Sequence, residues 1–236
     1  MRIIKAIFIK QLLSYIKNPE RWGAPATFLL IPFLFLVLVP GADMAILTAQ
    51  FIIMFVGISM VGGSAGFIRE DQATMNLRFM GMAGVKPYQY LIATSAVLLL
   101  VSLGILFLFG LISGHSGQVM INFLILSMIG SATSMLFGIT LGLSKLAPFT
   151  LIFGILLGVG PVLATDAGSE IMAQIFYFTF TSQVNIALRE DLSVLPMGAI
   201  QVVLANMAVM LILFVVMNAR VGLDGEKLAK RGTARS

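Results

Sequence analysis

IREDQATMNLRFMGMAGVKPYQY, residues 68–90, is the one long polar interruption between blocks of apolar sequence. It opens with charge, Arg69-Glu70-Asp71, and continues as a helix-like run over 72–83 that should stop at Gly84. Pro87 then opens the next apolar block, at a position where proline suits a first helical turn. Met75, Phe79 and Met82 recur at i, i+4 and i+7, so they share one face of such a helix. A short helix of this kind, held at the water boundary between two membrane-crossing segments, must cover its apolar face. Either the bilayer surface or a protein partner can do so.

Outward from this stretch, the composition sets the class. Of 236 residues, 59% are hydrophobic and 11% charged, where soluble domains carry about a quarter charged. The apolar residues come in long blocks rather than amphipathic stripes, which marks bilayer spans. The expected fold is an all-α integral membrane protein forming one transmembrane domain over 1–236. The absence of cysteine excludes disulfides and thiolate metal sites. No basic patch with interleaved aromatics stands apart from the spans, so no nucleic-acid partner is expected.

Residues 1–22 form a basic leader in which Ile4, Phe8, Leu12 and Tyr15 recur on one helical face, with Lys10, Ser14 and Lys17 opposite. Lys5, Phe8, Lys10, Leu12 and Lys17 are its candidate interfacial residues, the lysines reaching water and lipid phosphate while the apolar side chains lie in the membrane. Ile3 and Leu13 intrude on the polar side, and no small-x-small cleavage signal follows.

Six spans are expected, at about 23–39, 46–67, 91–113, 119–142, 149–164 and 196–217. Most have the roughly twenty residues that a ~30 Å hydrocarbon core requires. Residues 40–43 and 114–117 make tight turns, and Pro148 sits where a helix opens. The stretch 165–195 is largely apolar but rich in amides and hydroxyls. It is read as one or two external half-helices that dip into the bundle and return, which is tolerable where protein or water covers the backbone; the alternative, a seventh span, would put the basic tail outside, against the charge rule. With the N-terminus inside, fourteen of the fifteen lysines and arginines fall on the cytoplasmic side, and only Arg189 falls outside. Both termini, including the tail 218–236, are therefore expected in the cytoplasm.

Features that could carry chemistry are few. Gly130, Ser134, Gly138 and Gly142 recur every four residues, and Gly62/Gly66 and Gly154/Gly158 repeat the spacing. Such stripes let helices approach closely, within one chain or across a dimer seam. No span carries a mid-membrane Asp, Glu, Lys, Arg or His, the usual mark of an ion or proton path. His115, the one histidine, sits in a GHSG turn and is read as a solvated loop residue. No HExxH motif and no GxxxxGK[ST] phosphate loop is present. An ion-coupled secondary transporter using backbone carbonyls, or a membrane-embedded enzyme using span hydroxyls or His115, stay open as alternatives.

One resemblance rests on the opening stretch. Glu70-Asp71 after a glycine-rich span, an apolar-faced helix, a glycine, then Lys86-Pro87 and Tyr88-Gln89-Tyr90-Leu91 resemble the cytoplasmic loop of type-2 ABC-transporter permeases. The leader, the six spans and the half-helices before the last span resemble that family across nearly the whole chain. The family's Arg-Glu-x-Gly-Thr run reads Arg69-Glu70-Asp71-Gln72-Ala73-Thr74 here, with no glycine. The resemblance implies the membrane subunit of an ATP-driven exporter in the cell membrane, paired with a second permease subunit, identical or similar. It also implies separate ATPase subunits that hold ATP and magnesium, so that this chain binds no cofactor and is not itself the enzyme. Residues 69–90 would be the coupling loop, with Glu70, Thr74, Met75, Arg78, Phe79, Met80 and Met82 at the ATPase contact. The leader would be the connecting helix, and the cargo a hydrophobic drug, peptide or lipid.

Overall fold

The computed structural model describes residues 2–18, 20–38, 44–144, 146–166 and 170–221, with the side chains at 20–25, 35–36, 44–45, 78, 87, 165–166, 172 and 218–221 outside the description. The described residues are helical throughout, joined by short turns. In chain order they form α1 (Arg2–Lys17), α2 (Glu20–Leu38), α3 (Met44–Met54), a π-helical segment (Phe55–Ser59), α4 (Met60–Ala73), α5 (Asn76–Met82), α6 (Pro87–Ile112) and α7 (Gly117–Leu143). A 3₁₀ turn (Ala147–Phe149) leads into α8 (Thr150–Asp166), followed by α9 (Glu170–Phe176), α10 (Phe180–Arg189) and α11 (Met197–Val221).

Five helical segments are long and apolar enough to cross a membrane: Ile46–Ala73, Tyr88–Ile112, Gly117–Leu143, Ala147–Ala164 and Met197–Met217. The chain is thus an all-α, multi-pass membrane protein. The first expected span falls in α2, whose side chains are described only in part. Its following turn, 40–43, lies outside the described residues, as do Lys145 and the tail beyond residue 221.

The bundle is organised around α7, which packs on α4, α6, α10 and α11. Small residues make this possible. A Cβ added to Gly138 would collide with the Ser64 hydroxyl and the Val61 carbonyl, and one on Gly142 would press on Ala65 Cα at 3.2 Å. The Gly138 and Gly142 end of the fourth-span stripe is therefore a seam within the chain, between α7 and α4, while Gly130 lies against Val184 of α10 and Val56. Gly154 and Gly158 serve likewise, seating α8 on the π-helical segment. Gly138→Val should cost about 3 kcal/mol through overpacking against backbone that cannot yield. Gly62→Ala, whose Cβ would meet nothing within 4 Å, should be close to neutral. Thermal unfolding of the two variants in detergent measures the difference.

Helix ends follow local chemistry. α6 stops in a Schellman turn: His115 N–H donates to Gly110 O at 2.9 Å and Gly114 N–H to Leu111 O at 3.0 Å, with Gly114 at φ 74°. α6 begins at Pro87, with the Gln89 side chain accepting from the Lys86 N–H at 3.0 Å. Residues 170–189 form two short helices, α9 and α10. Thr179 caps α10 by accepting from the Ser182 N–H at 3.3 Å, and nearly all of α10 is buried against α3, α7, α8 and α11.

Polar groups fasten the far end of α7. Asn122 donates to the carbonyls of Leu192 at 2.9 Å and Ser193 at 3.4 Å, and accepts from Gln118 at 2.9 Å. His115 is not simply solvated: its ring lies 5.0 Å from that of Phe123, and partial burial holds its pKa below the ordinary histidine value.

Candidate functional site

The opening stretch folds differently from a single 72–83 helix. α4 runs on to Ala73, and the chain breaks at Thr74 and Met75 before α5 begins. Local polar groups explain the break. The Thr74 hydroxyl donates to Glu70 O at 2.7 Å, and the Asn76 side chain donates to Thr74 Oγ1 at 2.8 Å and to Asp71 Oδ1 at 3.1 Å. These bonds compete with the helical ladder. Met75 adopts φ 56°, a left-handed conformation that a non-glycine residue takes at a cost of roughly 1–2 kcal/mol. Gly84, at φ 76°, ends α5: Val85 N–H donates to Met80 O and Gly84 N–H to Gly81 O, both at 3.0 Å.

The break gives α5 two distinct faces. Leu77 is buried, and Met80 and Val85 pack against the core. On the other side Met75, Phe79 and Met82 are 55%, 58% and 61% exposed. The three methionine and phenylalanine side chains grouped by spacing do share the outer face. Met80 lies on the inner one and holds α5 to the bundle. Glu70 and Thr74 are exposed at the end of α4, and the side chain of Arg78 lies outside the described residues.

What positions α5 is Asp71. It is buried, and four donors from three other helices converge on its carboxylate. Oδ2 accepts from Gln11 Nε2 and from the Tyr90 hydroxyl, each at 2.7 Å. Oδ1 accepts from Lys10 Nζ and Asn76 Nδ2, each at 3.1 Å. One carboxylate thus joins α1, α4, α5 and α6. The Tyr15 ring stacks on Phe67 at 6.0 Å beside it, and Arg69 donates to Thr150 Oγ1 at 3.0 Å, adding the start of α8 to the same end of the bundle.

The hub also shows what α1 packs against. Its Ile4, Phe8 and Leu12 face, with buried Ile7, Gln11 and Tyr15, packs on protein, chiefly α6. Lys10 pairs with Asp71, and Lys5 and Lys17 are exposed. The outward apolar surface is instead Ile9, Leu13 and Ile16, at i, i+4 and i+7 and all exposed. The physical reason is Gln11: an amide on the apolar face has to find a partner when that face is buried, and the Asp71 carboxylate supplies it. Two signals in the sequence pointed this way: Gln11 among apolar residues, and Tyr90 one turn into an apolar span.

Among the described residues no cluster of His, Asp and Glu is arranged to hold a metal. The site is an exposed apolar face on a short helix, fixed through a charged hub to three longer helices. Comparison of the chain with protein families, with curated proteins and with solved structures finds no match.

Proposed function

We propose that the chain is the membrane-spanning permease subunit of an ATP-driven exporter, of the type-2 ABC kind, with α5 as the helix that seats on a separate ATPase. The observation that carries the reading is the exposed Met75, Phe79 and Met82 face. It sits on a short helix between two membrane-crossing helices, and its opposite face and Asp71 tie it into the bundle. An apolar face on a rigidly held helix suits helix-in-groove docking. Movement imposed on α5 by a partner would pass through Asp71 to α1, α4 and α6.

In this reading α2 supplies a sixth span, α9 and α10 are the external half-helices, and the termini lie in the cytoplasm of a cell with the chain in its plasma membrane. α1 is the connecting helix, resting its Ile9, Leu13 and Ile16 surface on lipid. Two permease subunits, identical or similar, enclose the path for a hydrophobic drug, peptide or lipid. ATP and magnesium bind in the partner chains.

The test is purification of the tagged chain from its native membrane in mild detergent. The expected result is a co-purifying chain that carries a phosphate loop and hydrolyses ATP faster in the complex than alone. A chain that purifies by itself and moves substrate into liposomes on an ion gradient without nucleotide overturns the proposal.

A further inference from the structure

A cavity of about 400 Å³ lies between α10 and the start of α11. It sits at the end of the bundle away from Asp71: α7 carries Asn122, bonded to Leu192 O, at this end, and Gly142, beside Ile68, at the other. The volume is in the range of small-molecule sites, about 300–1,000 Å³. Gln183, Ile186, Ala187 and Glu190 line it from α10 at i, i+3, i+4 and i+7, so one helical face makes a wall roughly 10 Å long. Val202 of α11 and Tyr177 line it as well. The wall is apolar along its middle and polar at both ends.

Both polar ends present acceptors. Among the described residues no lysine, arginine or histidine lines the cavity. At one end the Glu190 carboxylate makes no ion pair or hydrogen bond among the described residues. Glu190 also closes α10. The backbone is extended there, at φ −86° and ψ 174°, and among the described residues no later backbone N–H returns to the last carbonyls of the helix. The ends of α4, α5, α6 and α7 each receive such a bond. Open terminal carbonyls carry the negative end of the helix dipole, which favours a cation. Arg189 does not line the cavity; its Nε donates to Asn185 Oδ1 at 3.3 Å. At the other end Gln183 is 8% exposed. Its Nε2 donates to the Tyr177 carbonyl at 2.6 Å, which engages the donor side of the amide with protein. Its Oε1 accepts no bond among the described residues, and it is not sealed away, since the enclosed side-chain atoms without a partner are all hydroxyls. The oxygen therefore keeps accessible surface in a side chain otherwise enclosed, on the wall of this cavity, where a donor would satisfy it.

We propose that this cavity binds an organic ammonium ion that carries a second donor, a hydroxyl or N–H, about 10 Å away. The ammonium meets Glu190 and the open end of α10. The apolar body lies over Ile186, Ala187 and Val202, and the second donor bonds to Gln183 Oε1. A free amine and an ethanolamine lipid headgroup both supply the ammonium. The headgroup also brings a phosphate, which Glu190 and the neighbouring Asp191 repel. The site includes no part of α5, so it stands whether or not an ATPase associates.

The test measures binding to the full chain in phosphatidylcholine nanodiscs by calorimetry, with empty nanodiscs as the baseline. Three probes of equal chain length are used: an amino-octanol with its groups at opposite ends, octylamine, and an octanediol. Amino-octanol should bind at least fivefold more tightly than octylamine, which lacks the far donor, and at least tenfold more tightly than octanediol, which lacks the charge. Glu190→Gln, at an exposed side chain with no bond to lose, should remove the advantage over octanediol. Gln183→Met should bring amino-octanol down to the level of octylamine; if it shifts the unfolding transition, Glu190→Gln and the probe series decide alone. Phosphatidylethanolamine is then added to the nanodiscs. Competition with amino-octanol names that headgroup as the source of the ammonium, and unchanged binding names a free amine. Equal binding of amino-octanol and octanediol, equal binding of amino-octanol and octylamine, or indifference to Glu190→Gln overturns the proposal.

Discussion

Asp71→Ala will loosen the polar end of the bundle more than any other single change on the surface of α4 and α5, by about 3 kcal/mol or more. The expectation follows from what the carboxylate serves. Gln11 is buried and its amide donates to Oδ2, as does the Tyr90 hydroxyl. Removing the acceptor leaves both donors without their partner in a place water does not reach, at about 1–3 kcal/mol each before relaxation. The ion pair is the smaller part. Lys10 is 43% exposed at its side chain, so solvent screens it, and an exposed pair contributes roughly 1 kcal/mol or less. Lys10→Met should therefore shift thermal unfolding in detergent only slightly, and Tyr90→Phe by an intermediate amount. Asp71→Asn keeps the shape but presents an NH2 to donors on one side, and should fall near the alanine variant. If Asp71→Ala and Lys10→Met shift the transition equally, the hub is not what holds these helices together.

The hub also marks where sequence reasoning stopped. Long apolar blocks such as 91–113 and 119–142 declare membrane helices by length alone, and the structure places α6 and α7 there, with α6 starting four residues earlier and α7 slightly longer at both ends. The Gly130 to Gly142 stripe declares a close approach, though spacing does not say to which helix. Asp71 was harder to read because its meaning is tertiary. Its partners lie at positions 10, 11, 76 and 90, and nothing local separates a buried acceptor of four donors from a solvated loop acid. The break at Met75 was hidden for a related reason. The i, i+4, i+7 pattern fits an unbroken helix, and only the bonds among Thr74, Asn76 and Asp71 turn the chain into the left-handed region there. Phe79 and Met82 lie inside α5 and keep their helical spacing, and Met75, outside it at the N-cap, is exposed as well. Met80 is not, since the turn that sets Phe79 outward carries its neighbour against the core. For α1 the periodicity was right and the inference from it incomplete: an apolar helical face is buried, but spacing does not tell protein from lipid.

Phe79→Asp combined with Met82→Asp should abolish productive pairing with the ATPase while leaving the bundle folded. Both side chains are more than half exposed, so the charges enter water and the fold loses little packing. Their cost falls on the complex, where each would place a carboxylate in a desolvated apolar groove. Apolar anchors of this kind contribute about 2 kcal/mol apiece, and two of them correspond to a loss of roughly two to three orders of magnitude in affinity. Expected readouts are loss of the co-purifying subunit, ATP hydrolysis at the level of that subunit alone, and transport reduced more than tenfold. Leu77→Asp supplies the contrast. Leu77 faces the core, so its substitution should lower thermal stability and disturb the Asp71 hub, giving the same loss of transport by unfolding. The pair separates docking from structure: the outer variant must lose coupling at an unchanged unfolding transition, and the inner one must lose both. A helix that merely rests in lipid predicts another pattern. There the Asp substitutions would lift α5 away from the bilayer surface, and nucleotide hydrolysis by any associated chain would stay as it was. Normal coupling in the outer double variant would therefore remove the docking face, and with it the reason to assign this chain an external motor.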